Sequence, residues 1–191
     1  KAADLASYLV QQGVSLRVTM TEAATRFVGP MTFEAITKQP VHTGVFDGWD
    51  AGEAGHVTLA STADAVVVAP ATANTIAAMA QGVARDMLTA VLLGTSAPIV
   101  VAPAMEHHMW HHPATRANVA RLRERGVTIV EPETGRLASG ASGDGRLAGR
   151  DAIVAALRGI LASAGPLAGV RMVVSAGGTH EAVDPGRFIG N

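Results

Sequence analysis

Ala65-Val66-Val67-Val68-Ala69-Pro70 is a short apolar run with no polar side chain on either alternating face. Ala71-Thr72-Ala73-Asn74-Thr75 follows at once, and a helical pattern continues from there to Gln81. A strand that is apolar on both faces belongs inside a parallel sheet, where helices cover both sides. Pro98-Ile99-Val100-Val101-Ala102 repeats the theme, and residues 16–20 and 127–130 read as further strands. Helical patterns separate them at residues 2–12, 31–37, 75–81, 86–93 and 113–125, with a last amphipathic one at 151–162. This alternation predicts an α/β fold, doubly wound around a mostly parallel sheet in three flavodoxin- or Rossmann-like layers. Ligands of such sheets bind beyond the carboxyl ends of the strands, so the residues after 70 and 102 are the first candidates.

The chain has 191 residues, 48% of them hydrophobic, which is enough for a core and excludes disorder. A net charge of −1 gives no long-range field for capturing nucleic acid. No apolar run approaches the roughly 18 residues of a membrane span, and no secretory signal opens the chain. The absence of cysteine excludes a disulfide scaffold. The pattern starts in a helix at residue 2, without the strand expected to begin such a sheet, and stops in mid-loop at Gly190-Asn191. These ends predict a piece of a longer chain whose first strand is missing. Ser163-Ala164-Gly165-Pro166 reads as a linker, dividing a domain at 1–163 from the opening of a second at 164–191, with a strand at 170–175.

Several constellations could carry chemistry. Thr72, Asn74 and Thr75 add side-chain donors to the free N–H groups of a helix N-terminus, a place suited to an anion. Capping of the helix would use Thr72 or Asn74 equally well. Pro103-Ala104-Met105-Glu106-His107-His108-Met109-Trp110-His111-His112 holds two i,i+4 histidine pairs, 107/111 and 108/112. No acidic residue or cysteine stands at a spacing that completes a metal site, so the expectation is exposed loop histidines and no metal. Trp110 and Met109 are expected to wall an apolar pocket or a subunit contact. His56, after a Gly/Asp-rich loop, is a candidate acid–base group. Residues 131–149 read as a loop dense in Gly and Ser. Within it, 139–146 suits either a lid whose Arg146 meets an anionic substrate or a solvated loop.

Taken together, these segments resemble the flavin-containing cysteine decarboxylases. Pro70-Ala71-Thr72-Ala73-Asn74-Thr75 resembles their P-A-S-A-N-T motif, residues 103–110 their P-x-M-N-x-x-M-W motif, and Gly55-His56-Val57 their active-site histidine. The tail, from Val174-Ser175-Ala176-Gly177-Gly178-Thr179-His180-Glu181 to Asp184-Pro185-Gly186-Arg187-Phe188, resembles the opening of a phosphopantothenate–cysteine ligase domain. The resemblance implies FMN held by Thr21, Thr72, Ala73, Asn74 and Thr75, and His56 as the catalytic acid–base. It implies 4′-phosphopantothenoylcysteine as substrate, bound by Ala104, Met105, Glu106 and Arg146 and decarboxylated through flavin oxidation of its thiol-bearing carbon. For the ligase part it implies CTP and Mg2+. A cytoplasmic homotrimer or higher homo-oligomer is also implied. Two positions depart from the pattern. Glu106 stands where the family has Asn, and a carboxylate is a poor partner for a substrate carboxylate unless protonated or turned away. Ser139 stands where many members carry a flap Cys that protonates the product enethiolate, and a serine hydroxyl is a far weaker acid. Glu106 favours the alternative of a catalytically impaired flavin-binding regulatory subunit. A flavin prenyltransferase is a sibling reading on the same fold.

Overall fold

A computed structural model describes residues 1–46, 54–136, 140, 142–163, 180–184 and 187–190. The two apolar runs form β3 (Val66–Ala71) and β4 (Ile99–Pro103), which pair in parallel with Val67 opposite Val100 and Val68 opposite Val101. The short β5 (Thr128–Ile129) joins the other edge of β4, also in parallel. A second parallel ladder pairs β1 (Val18–Thr19) with β2 (Val41–His42). The expected mostly parallel α/β architecture is borne out, although β1 and β5 are shorter than the apolar runs that announce them.

Alternation along β4 divides the core between two helical layers. Val101 and, on β3, Val68 and Ala71 face a cluster with Ile76, Ala80, Trp110, Val119 and Leu122. These come from α5 (Ala73–Gln81), α7 (His107–His111) and α8 (Pro113–Glu124). Val100 and Ala102 face the other way, toward Leu5 and Leu9 of α1 (Ala2–Gln11) and Ile153, Val154 and Leu157 of α9 (Arg150–Ser163). Burial on both faces is why these strands lack polar positions. Leu16 packs against both the α1–α9 cluster and a third one built on Ala6, Met20 and Phe33 of α3 (Pro30–Thr37), so α1 spans the two ladders.

Local signals set the helix ends. Asp86 starts α6 (Met87–Gly94) with a capping box: its carboxylate accepts from the Thr89 N–H at 2.8 Å, and the Thr89 hydroxyl accepts from the Asp86 N–H at 3.1 Å. Gly82 ends α5 in the left-handed region at φ +70, where glycine carries no Cβ penalty. Pro113 occupies the first turn of α8, where a missing N–H costs nothing. His56 opens a helix, α4 (Gly55–Thr62), packed on α6 through Ala60, Met87 and Val91.

Residues 131–149 depart from the loop expectation. Glu133–Arg136 (β6) and Ser142–Arg146 (β7) form an antiparallel hairpin. Its glycines and polar side chains hide the strand period, and pairing is sustained by docking on the neighbouring segment. In the tail, β8 (His180–Asp184) and β9 (Arg187–Gly190) form a second antiparallel pair. The strand expected at 170–175 lies outside the described residues. No helix among them is long and apolar enough to cross a membrane.

Candidate functional site

Three segments converge where β3 and β4 end. Ala71 stands opposite Pro103 in the ladder, and the Ala104 N–H donates to the Ala71 carbonyl at 3.0 Å. The Met105 N–H then donates to the Gly145 carbonyl at 2.9 Å, which brings the hairpin onto the same edge. Thr72–Thr75, Ala104–Glu106 and Arg146 are thus neighbours in the fold although distant in sequence.

Thr72 is the N-cap of α5. Its hydroxyl accepts from the Thr75 N–H at 3.2 Å and lies 3.1 Å from the Thr75 hydroxyl. Thr75 is buried, whereas Asn74 is exposed and its carbonyl accepts from Arg85 at 3.4 Å. The capping reading of Thr72 holds, and the remaining N–H groups of the first turn, including that of Ala73, still face the strand end. Thr21 plays the same part for α2 (Glu22–Thr25), accepting from the Ala24 N–H at 3.2 Å.

His56 sits in the first turn of α4, and α6, on which that helix packs, follows directly from Arg85. Its Nδ1 is buried and has no hydrogen-bond partner in the described structure. A buried polar atom without a partner costs free energy, which a ligand can recover.

Glu106 is turned into its own backbone: the carboxylate caps α7, accepting from the His108 N–H at 2.7 Å. His107, His108 and His111 lie on this helix instead of in a loop, and His112 caps its end; all but His107 are exposed, as expected. Trp110 is only 3% exposed and belongs to the core, with Arg116 stacked 4.9 Å from its ring centre, so it walls no open pocket. Met109 alone of that pair is exposed.

The sequence reading missed Asp144. Its Oδ2 lies 3.2 Å from His111 Nε2, its Oδ1 accepts from the Thr134 hydroxyl, and its N–H donates to His107 Nδ1 at 3.2 Å. The hydrogen bonds from Thr134 and then His111 hold its carboxyl below the usual carboxylate range. The 33 positions separating Asp144 from His111 leave no local spacing to find. Ser139 lies outside the described residues.

Comparisons with known proteins identify the family. The bifunctional coenzyme A biosynthesis protein CoaBC of Mycolicibacterium smegmatis is 49% identical over the whole chain, which spans 47% of that protein. The CoaBC protein of Bacillus subtilis is 44% identical, again over the whole chain and 48% of its own length. The chain therefore spans about half the length of the curated relatives it matches. Among solved structures, the FMN-dependent cysteine decarboxylase SpaF is 37% identical with a TM-score of 0.72, over 85% of this chain and 87% of SpaF. A PPC decarboxylase mutant complexed with pantothenoylaminoethenethiol is 28% identical, with a TM-score of 0.73 over 83% of this chain and 88% of its own. The Flavoprotein family profile matches residues 1–162, and the chain belongs to that family.

Proposed function

We propose that the chain is an FMN-dependent decarboxylase that converts 4′-phosphopantothenoylcysteine to 4′-phosphopantetheine for coenzyme A synthesis. The observation that carries this reading is the junction at the strand ends. The Ala104 N–H on the Ala71 carbonyl and the Met105 N–H on the Gly145 carbonyl draw the 71–75 turn, the 104–106 segment and the hairpin into one site. The coenzyme A role of the CoaBC relatives and the decarboxylase activity named for the structural neighbours support it.

The residues fit a flavin mononucleotide. Thr21 and Thr72 begin helices at strand ends, Ala73 and Asn74 supply first-turn N–H groups, Thr75 places its hydroxyl beside that of Thr72, and His56 Nδ1 is a buried atom without a partner. When bound, the flavin would supply the two-electron oxidation of the thiol-bearing carbon, which gives the departing carboxylate the electron sink it otherwise lacks. His56 exchanges the proton at its imidazole, Ala104 and Met105 line the substrate with Glu106 beside them, and Arg146 meets an anionic end of it. The hairpin, seated on Met105, excludes water. In sequence, Ser139 stands where many members of the family carry the Cys that returns a proton to the product.

The relatives' length extends the proposal: residues 1–163 form the decarboxylase part, and 164–191 open a ligase that uses CTP and Mg2+. Exposed Phe27, Met31 and Phe46 support assembly into a homotrimer or higher homo-oligomer, and the pathway supports a cytoplasmic setting. The departure from the family's Asn at Glu106 supports, as second reading, a flavin-binding subunit without turnover, and the engagement of its carboxylate in the α7 cap counts against it.

The test is CO₂ release from 4′-phosphopantothenoylcysteine by the purified yellow protein. His56→Asn should keep the flavin spectrum and lose about 10²- to 10⁴-fold in rate. Undiminished turnover in that variant removes His56 from the mechanism, and flavin binding without any CO₂ release in the wild type establishes the second reading.

A further inference from the structure

We propose that His107, His111 and Asp144 bind a divalent transition-metal ion of the zinc class, which fastens hairpin β6–β7 to helix α7. This goes beyond the decarboxylase reading and does not depend on it. The three side chains come from two elements that the fold brings together, and one donor atom from each lies within 4.8 Å of the others.

The distances suit such an ion. Nitrogen and carboxylate donors at about 2.0–2.1 Å from a tetrahedral zinc stand roughly 3.3 Å apart. His111 Nε2 and Asp144 Oδ2 are already 3.2 Å apart. His107 and His111 are one helical turn apart, with ring centres separated by 4.5 Å, so a side-chain rotation closes the remaining gap. His107 Nδ1 now accepts from the Asp144 N–H at 3.2 Å, and an ion would take over that lone pair while water satisfies the amide. The side chains of His111 and Asp144 are 47% and 41% exposed, which leaves an entry path and a fourth position for water.

The surroundings also support a site. Thr134 donates to Asp144 Oδ1 and leaves Oδ2 aimed at the histidines, the kind of outer contact that orients a metal-binding carboxylate. Gly143 makes room for the His107 ring, since a Cβ there would lie 3.0 Å from its Nδ1. The other i,i+4 pair has no such setting: His112 Nδ1 caps α8 by accepting from the Ala114 N–H at 3.2 Å. Among the described residues no other trio of His, Cys, Asp or Glu brings its donors together in this way.

The experiment titrates the purified protein, without a histidine tag, first with Co2+ and then with Zn2+. One Co2+ should bind per chain with the visible d–d absorption of a low-coordinate site, and Zn2+ should displace it. His111→Gln and Asp144→Asn should each weaken Zn2+ binding at least tenfold, with unchanged circular dichroism and flavin absorption. Thr134→Val, which keeps every ligand, should weaken it about 10- to 100-fold. His108→Gln should bind as the wild type does. Lack of stoichiometric binding by the wild type, or undiminished affinity in both His111→Gln and Asp144→Asn, overturns the proposal.

Discussion

Gly145 and Met105 meet backbone to backbone: the Met105 N–H donates to the Gly145 carbonyl at 2.9 Å, and a Cβ on Gly145 would lie 2.1 Å from the Met105 carbonyl oxygen. Gly145 also has φ +141, a region that side chains avoid.

Gly145→Ala should therefore release the hairpin. The dihedral alone costs about 1–3 kcal/mol, and the contact with a backbone oxygen adds to it. Hydrogen exchange across residues 133–146 should quicken, with KM for the substrate rising more than flavin affinity falls. Unchanged exchange in this segment would show that the hairpin tolerates the shift.

Thr72 should separate capping from cofactor retention. Thr72→Ala removes the acceptor for the Thr75 N–H and the neighbour of its hydroxyl, at a cost of about 1 kcal/mol. Thr72→Ser keeps the oxygen and should restore most of that loss. Urea midpoints read the stability, and the ratio of flavin to protein absorbance reads retention in the same samples.

Glu106 is engaged by the His108 N–H, which commits one carboxylate oxygen to the helix cap. Asn is an equally good N-cap, and Glu106→Asn should leave both stability and KM unchanged. Glu106→Ala should lose about 0.5–2 kcal/mol through the cap alone. A lower KM in Glu106→Asn would place the carboxylate against the substrate after all.

His42 should make the fold sensitive to acid. Burial, and then the nearby Arg17 cation, lower its pKa from the ordinary 6.5. Below about pH 6.5 the unfolded chain takes up a proton that the folded chain refuses, until the lowered folded value is reached. Stability is thus full above that pH and falls as pH drops through the window beneath it. Urea midpoints at about pH 7.5 and 5.5 should differ less in His42→Leu than in the wild type.

The parts of this molecule legible in the sequence are those whose signal is local. Val66–Val68 and Val100–Val101 announce buried strands because both of their faces meet helices. Thr72, Asp86 and Pro113 mark helix starts because capping is settled within three residues. The hairpin was hidden because its pairing rests on remote contacts: Met105 on Gly145, His107 on Asp144, and Glu133, whose carboxylate accepts from the Gly149 N–H at 2.6 Å. The same remoteness concealed Asp144, and the helix carrying His56 is stabilised by Met87 and Val91 of another helix more than by its own pattern.

Among the described residues, β4 is the strand bonded along both edges, and Ala104–Glu106 follow it without a break. It works as a ruler with two scales, residues 100 and 102 counting for one helical layer and 101 for the other. One residue inserted between 99 and 103 would exchange the scales and swing 104–106 to the wrong side of the sheet. Two would preserve the faces yet slide that segment about 6.6 Å, beyond the reach of the Gly145 carbonyl. Extra length at 95–98, ahead of the strand, would disturb neither. The address of the chemistry is counted from Ile99.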